Sequence, residues 1–247
     1  MEPKIIYQDN SLLVIDKPAG WIVNEATTTN GQPTLQAWLS KMDYPLAKSR
    51  EYRSGIVHRL DKETSGVLLI AKTKEAFEKL QAQFKNREVK KTYTALVHGK
   101  VEPKEGEIKA PVGRLPWRRD RFGVLPGGRS AETQYKTISN LQFTIKNERQ
   151  DFTLLELKPK TGRTHQIRIH LKYLGHPVVG DEFYAGRKTA RNDRKWCPRL
   201  FLHASEIEFE HPATKNRVVF KSKLSSDLED TLKSLLHNKV DSPEIIG

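Results

Sequence analysis

The sequence predicts an α+β fold with a mixed, mainly antiparallel central sheet and flanking helices. Three observations lead there. Short apolar runs of strand length outnumber the stretches with helical periodicity. Most of these runs are joined by turns and short connections rather than by crossover helices, which favours antiparallel pairing. Hydrophobic residues make up 36% of the 247 and charged residues 30%, which suits a real core under a heavily charged surface. No internal repeat, heptad array or low-complexity tract is present.

The chain opens with Ile5-Ile6-Tyr7 and Leu12-Leu13-Val14-Ile15, parted by the turn-forming Gln8-Asp9-Asn10-Ser11. That pattern predicts a pair of strands. Lys17-Pro18-Ala19-Gly20 reads as a turn, Trp21-Ile22-Val23 as a third short strand, and 24–32 as a polar, mobile loop. Leu35, Trp38, Leu39 and Met42 recur at helical spacing behind Pro33, which suits a first turn. Residues 67–71 are apolar throughout, as in a buried strand. Thr73 is placed to cap a helix with Phe77, Leu80 and Phe84 on one face. A strand follows at 92–97. Residues 99–128 are rich in Gly, Pro and Arg and read as an excursion from the sheet. Strands are expected at 132–138, 152–158, 201–209 and 218–221. Thr164 is expected to cap a helix whose shared face holds Ile167, His170, Leu171 and Leu174, with Gly175 as its left-handed end. Leu224, Leu228, Leu232, Leu235 and Leu236 predict a closing amphipathic helix, with a frayed tail after Asn238. The expected division is one domain over 1–223 and a C-terminal helix and tail over 224–247.

Lys and Arg number 43 against 30 Asp and Glu, a formal charge of +13, which points to a polyanionic partner and to nucleic acid first. The excess is clustered at 85–91, 114–121 and 187–199, and two of these runs hold Trp117 and Trp196. Phosphates and unstacked bases call for that combination. Cys197 is the single cysteine, so no intramolecular disulfide can form, which fits a reducing cytoplasm. No apolar run approaches the ~20 residues of a membrane span, and the N-terminus lacks a signal-peptide core. Neither common phosphate-binding glycine loop occurs, so neither ATP nor a dinucleotide is expected as cofactor. The histidines match no common zinc spacing, and no metal is expected.

Three places combine a loop position with unusual polarity. The first is Gly55-Ile56-Val57-His58-Arg59-Leu60-Asp61-Lys62-Glu63-Thr64-Ser65-Gly66, which ends against the 67–71 run and offers Asp61 as a nucleophile, two residues after Arg59. The second is Tyr93, just after Lys90-Lys91, and the third is Arg163 with Arg168. Plainer readings exist for each. Asp61 and Arg59 could form a surface ion pair, Tyr93 could be an ordinary strand residue, and Arg168 an ordinary helix cation. Arg163 suits a phosphate contact at a helix start.

The motifs decide between these readings by their order. His58-Arg59-Leu60-Asp61 with Thr64-Ser65-Gly66, then Lys91-Thr92-Tyr93, Gly162-Arg163-Thr164-His165-Gln166-Ile167-Arg168, Gly175-His176-Pro177 with Gly180-Asp181, and Leu202-His203-Ala204 resemble the successive motifs of the RluA-type pseudouridine synthases. Val14-Ile15-Asp16-Lys17-Pro18-Ala19-Gly20 joins them near the start, so the resemblance spans residues 4–223. It implies the pseudouridine synthase fold with its catalytic cleft, and an enzyme that isomerises uridine to pseudouridine in rRNA or tRNA. It casts Asp61 as the catalytic aspartate and Arg59 as the arginine that helps displace the target base. Tyr93 becomes the ring stacked on uracil, Arg168 the cation paired with the catalytic carboxylate, and Leu202 an apolar residue beside the pocket. His58 and His165 are expected to buttress the pocket or contact RNA, as Arg163 is.

The chemistry is compatible. Isomerisation breaks a C–N bond and forms a C–C bond with no net redox change, so it needs no cofactor. An ordinary aspartate, with a pKa of about 3.9, is already ionised at neutral pH. Stacking can retain a detached base at roughly 1–3 kcal/mol, and a base inside a stem must first be flipped out. Many relatives carry a small RNA-binding domain ahead of the catalytic one. This chain is expected to rely on its own basic surface, as a monomer. A non-catalytic RNA-binding or ribosome-assembly protein remains the alternative. A carboxylate-dependent glycosidase or nuclease is a third reading, disfavoured because only Asp61 stands out where paired carboxylates are usual.

Overall fold

The structure, a computed structural model, describes residues 1–26, 29, 31–145 and 148–237. Along the chain run β1 (Lys4–Gln8), β2 (Leu12–Lys17), α1 (Leu35–Leu39), β3 (Ser65–Ala71), α2 (Lys74–Asn86) and β4 (Lys90–His98). Then come β5 (Glu105–Lys109), β6 (Val112–Leu115), β7 (Arg118–Val124), β8 (Glu132–Ile145) and β9 (Glu148–Pro159). The rest is α3 (Gln166–Tyr173), α4 (Arg187–Asp193), β10 (Leu202–Glu210), β11 (Arg217–Lys221) and α5 (Ser226–His237). The chain groups into two units: Met1–Tyr93 with His203–Lys223, and Thr94–Leu202 with everything from Leu224 onward.

In the first unit the strands follow the order β1-β2-β3-β10-β4, with β11 on β10. The β1–β2 hairpin closes on Asp9, whose carboxylate accepts the Ser11 and Leu12 N–H groups at 2.8 Å. All seven residues of β3 are buried, which explains its unbroken apolar run. Leu12 to Ile15, Leu68 to Ile70, Leu80 and Phe209 form the core here, each burial worth roughly 1.5–3 kcal/mol. α2 starts where its sequence says, with the Thr73 hydroxyl accepting the Ala76 N–H. β3 and β10 run parallel, pairing Ser65 with His203 and Gly66 with Ala204, so the sheet is mixed though mainly antiparallel.

The second unit carries the order β4-β9-β8-β5 and a separate β6–β7 hairpin. Six successive residues of α3, Gln166 to Leu171, are buried, so the helix is enclosed on all sides over these residues, while Lys172 and Tyr173 at its end are exposed. Gly175 takes the left-handed conformation expected after it, at φ +92°. Cys197 is fully buried and its thiol donates to the Arg199 carbonyl.

Several expectations are corrected. Trp21-Ile22-Val23 forms no strand; Ile22 makes one isolated parallel bridge to Thr34. Pro33 does not open α1: Thr34 caps it, accepting the Ala37 N–H, and the helix ends at Leu39, short of Met42. Thr164 does not cap α3. The residue before the helix is His165, left-handed at φ 54° and without a capping side chain. The 99–128 excursion contains β5 and the β6–β7 hairpin, and the basic run at 187–199 contains α4. The expected loop at 24–32 lies partly, and the tail from 238 entirely, outside the described residues.

Candidate active site

Asp61 is half-buried in the loop that runs from a tight turn at Arg53–Gly55 into β3. Gly55 is required at the start of this loop: φ is +78°, and a Cβ would lie 1.9 Å from the Ala71 carbonyl oxygen. The Asp61 carbonyl accepts the Thr64 N–H at 3.1 Å, closing a turn around Lys62. That turn is clamped from beneath by Lys17, which has no exposed surface. Its Nζ donates to the carbonyls of Pro18 at 2.9 Å, Trp21 at 3.0 Å and Lys62 at 3.2 Å. A buried ammonium is costly unless its donors are matched, and three carbonyls match them. The Thr64 hydroxyl is buried with no hydrogen-bond partner among the described residues.

The histidines around this loop are structural. His58 Nε2 accepts the Leu69 N–H at 2.9 Å, and its ring stacks on Phe84 with centroids 4.9 Å apart. Burial, reinforced by the Lys91 charge, pushes its pKa down to about 3, so the ring is neutral. His203 is buried between the Ser65 hydroxyl at 2.9 Å and the Ser222 carbonyl at 3.2 Å. A carbonyl can only accept, so Nε2 carries the proton and Ser65 donates to Nδ1.

Tyr93 is buried. Its phenol is pushed above the usual range, first by burial and then by the negative charge of Asp61. Burial also lowers the neighbouring Lys91 to about 8. Arg59 points outward and makes no hydrogen bond or ion pair among the described residues.

The remaining predicted residues belong to the second unit. Arg168 is buried, and its Nε and Nη2 donate to the two oxygens of Asp181, both at 2.8 Å. Its guanidinium carbon lies 5.0 Å from the Tyr184 ring centre and 5.4 Å from that of Phe183. Asp181 also accepts the N–H groups of Phe183 and Tyr184. His165 shares a 2.9 Å hydrogen bond with the Tyr184 hydroxyl. Arg163 is half-buried and donates from Nε to the Ser130 carbonyl. Leu202 is buried.

Gln166 explains the start of α3. Its Oε1 accepts from the Thr161 hydroxyl at 2.7 Å and the Arg163 N–H at 3.0 Å. Its amide nitrogen donates to the Glu132 carbonyl and the Thr133 hydroxyl, both at 3.0 Å. All four hydrogen-bonding positions of the amide are used. The Thr133 hydroxyl donates to His170 Nδ1, and His170 Nε2 donates to the Ala110 carbonyl.

Structural roles for Lys17, Gln166 and Asp181 do not follow from the sequence. All three lie inside the motifs that carry the family resemblance, and that was the available signal. Trp117 is 71% exposed, as its expected role requires. Trp196 is half-buried and packs edge-on against Phe152, with centroids 5.3 Å apart, so it serves packing rather than offering a stacking face. Among the described residues, no group of three or more His, Cys, Asp or Glu is arranged to hold a metal ion.

A half-buried carboxylate whose charge reaches a buried phenol, on a loop entering a mixed sheet in a basic chain, is compatible with an RNA-modifying isomerase. Residues 11–173 match the model of the RNA pseudouridylate synthase family, and the chain belongs to that family, in its RluA-type branch. It is 39% identical over 247 residues to ribosomal large subunit pseudouridine synthase D of Nitrosomonas europaea, covering 97% of this chain and 68% of that protein. It is 37% identical over 244 residues to the uncharacterized RNA pseudouridine synthase YlyB of Bacillus subtilis, covering 96% and 74%. Among solved structures, human RNA pseudouridylate synthase domain containing 1 superposes with a TM-score of 0.71 at 25% identity, over 98% of this chain and 96% of that one.

Proposed function

We propose that this chain isomerises uridine to pseudouridine in large-subunit ribosomal RNA, with Asp61 as the group that attacks the target nucleotide. The family membership supplies the reaction, and the name of the Nitrosomonas europaea relative points to the RNA. Three features support the residue assignment: the Tyr93 ring is buried, its phenol is pushed up by burial and then by the Asp61 charge, and the turn that follows Asp61 is clamped by Lys17. The glycosidic N1–C1′ bond breaks, the base turns, and C5 bonds to C1′ while the C5 proton leaves to solvent and N1 gains one. Tyr93 stacks on the detached uracil. Arg59, outward and unpartnered among the described residues, fills the space left by the flipped nucleotide. Arg168 keeps the role that the family resemblance gives it, the cationic partner of the catalytic carboxylate. Leu202 lines the uracil site with apolar surface, and Arg163 and His165 face RNA. The enzyme acts as a cytoplasmic monomer.

RNA carrying 5-tritiated uridine tests this reading. The wild type releases tritium and Asp61→Asn releases none while keeping its melting temperature. Equal release from both proteins refutes the role of Asp61. Pseudouridine mapping of total RNA from a deletion strain then identifies the substrate. A lost site in tRNA rather than ribosomal RNA would overturn the substrate assignment.

A further inference from the structure

We propose that the hollow between β7 and α4 is a built phosphodiester-binding pocket that grips RNA backbone away from the reacting uridine. The inference rests on the reading of the chain as an RNA-modifying enzyme and adds a site to it. The hollow measures about 430 Å³ and is lined by Arg121, Phe183, Arg187, Arg191, Arg194 and Glu182 around Ala190. Four guanidinium groups against one carboxylate leave it strongly positive. Two basic runs far apart in the sequence, 114–121 and 187–199, supply all four arginines.

The arginines divide into two fixed and two exposed ones. Arg121 Nη1 donates to the Phe183 carbonyl at 2.6 Å, and its guanidinium lies 5.4 Å from the Phe183 ring centre. Its Nε is buried without a hydrogen-bond partner, and the Asp120 carboxylate stands 3.8 Å away. Arg194 is held by the Pro198 carbonyl at 2.7 Å and by Glu182 at 3.0 Å. These two are preorganised walls. Arg187 and Arg191 are exposed and make no hydrogen bond or ion pair among the described residues.

The spacing of the exposed pair works against the helix that carries it. Arg187 and Arg191 stand at i and i+4, on one face of a seven-residue helix. Like charges so placed destabilise a helix by roughly 0.2–0.5 kcal/mol, and here no acidic residue in the first turn offsets them. A polyanion removes that repulsion. Planar guanidinium forks suit phosphate oxygens, and a volume of this size accommodates a nucleotide unit. The partner of this chemistry that an RNA-modifying enzyme meets is the RNA backbone.

Equilibrium binding of a fluorescent RNA hairpin, from about 50 to 200 mM salt, tests the pocket in the full-length protein. Wild type is compared with R187Q/R191Q and with R187K/R191K. Losing two phosphate contacts lowers the slope of log affinity against log salt by about 1.5–2. Over that rise the wild type therefore loses about tenfold more affinity than R187Q/R191Q. The lysine pair keeps the wild-type slope. An unchanged slope in R187Q/R191Q, or a slope lost equally in the lysine pair, overturns the proposal. So does inorganic phosphate binding that depends on the pair while RNA binding does not. Tritium release by the wild type, scored separately, shows whether the enzymatic reading itself stands.

Discussion

The His58 ring is a base that the fold keeps neutral. Its Nε2 accepts the Leu69 N–H, so protonation would both break that bond and charge a ring packed on Phe84. The folded pKa, about 3, lies below the ordinary value of 6.5. The unfolded chain therefore binds a proton that the folded chain refuses. The stabilising contribution is complete above pH 6.5 and drains away as pH falls from there toward 3. Denaturant titrations at pH 7 and pH 5 should show the wild type losing up to about 2 kcal/mol more than His58→Gln. Glutamine can still accept the Leu69 N–H but does not titrate. Equal losses would mean that His58 is open to water. Lys17 is the converse case, a buried charge kept by matching its donors: one ammonium fixes three carbonyls, that of Lys62 next to Asp61 among them.

At the level of elements, the parallel pairing of β3 with β10 depends on a residue without a side chain. Gly66 has φ +116°, and a Cβ there would lie 2.2 Å from the Ala204 carbonyl oxygen. Gly66→Ala should cost at least about 3 kcal/mol in urea unfolding, combining backbone strain with a clash against main chain. A loss under about 1 kcal/mol would show that the strands can part at little cost. What the sequence revealed of the elements follows the same physics. β3 and α2 were legible because an apolar run and a threonine cap are local signals. The start of α3 was not, because Gln166 sets it through Thr161, Glu132 and Thr133, a polar arrangement that no periodicity records. β5, Glu-Gly-Glu-Ile-Lys, shows no apolar alternation because it is a sheet edge. α4 hid behind its arginines. The roles proposed for Asp61, Tyr93 and Arg168 rest on ordered motifs, while Asp181, the partner seen on Arg168, was readable only as part of a motif.

Over the whole molecule, the charge excess of +13 is unevenly placed. Along the strands, lysines meet glutamates: Lys160 pairs with Glu107, Lys90 with Glu208 and Lys221 with Glu206. Such exposed pairs add little to stability, but they neutralise their surroundings. Arg187 and Arg191 have no such counterpart among the described residues, so the uncompensated charge gathers where RNA is proposed to sit. Cys197, the single cysteine, also has a use at this scale. Its thiol is fully buried, and burial lifts its pKa to about 11. A thiol-reactive dye should therefore stay off the native protein at neutral pH and attach only when the segment around α4 opens. The wild-type chain thus holds its own one-colour reporter of local opening, needing no engineered label. Slower dye attachment on adding RNA would mark that segment as one the substrate holds shut.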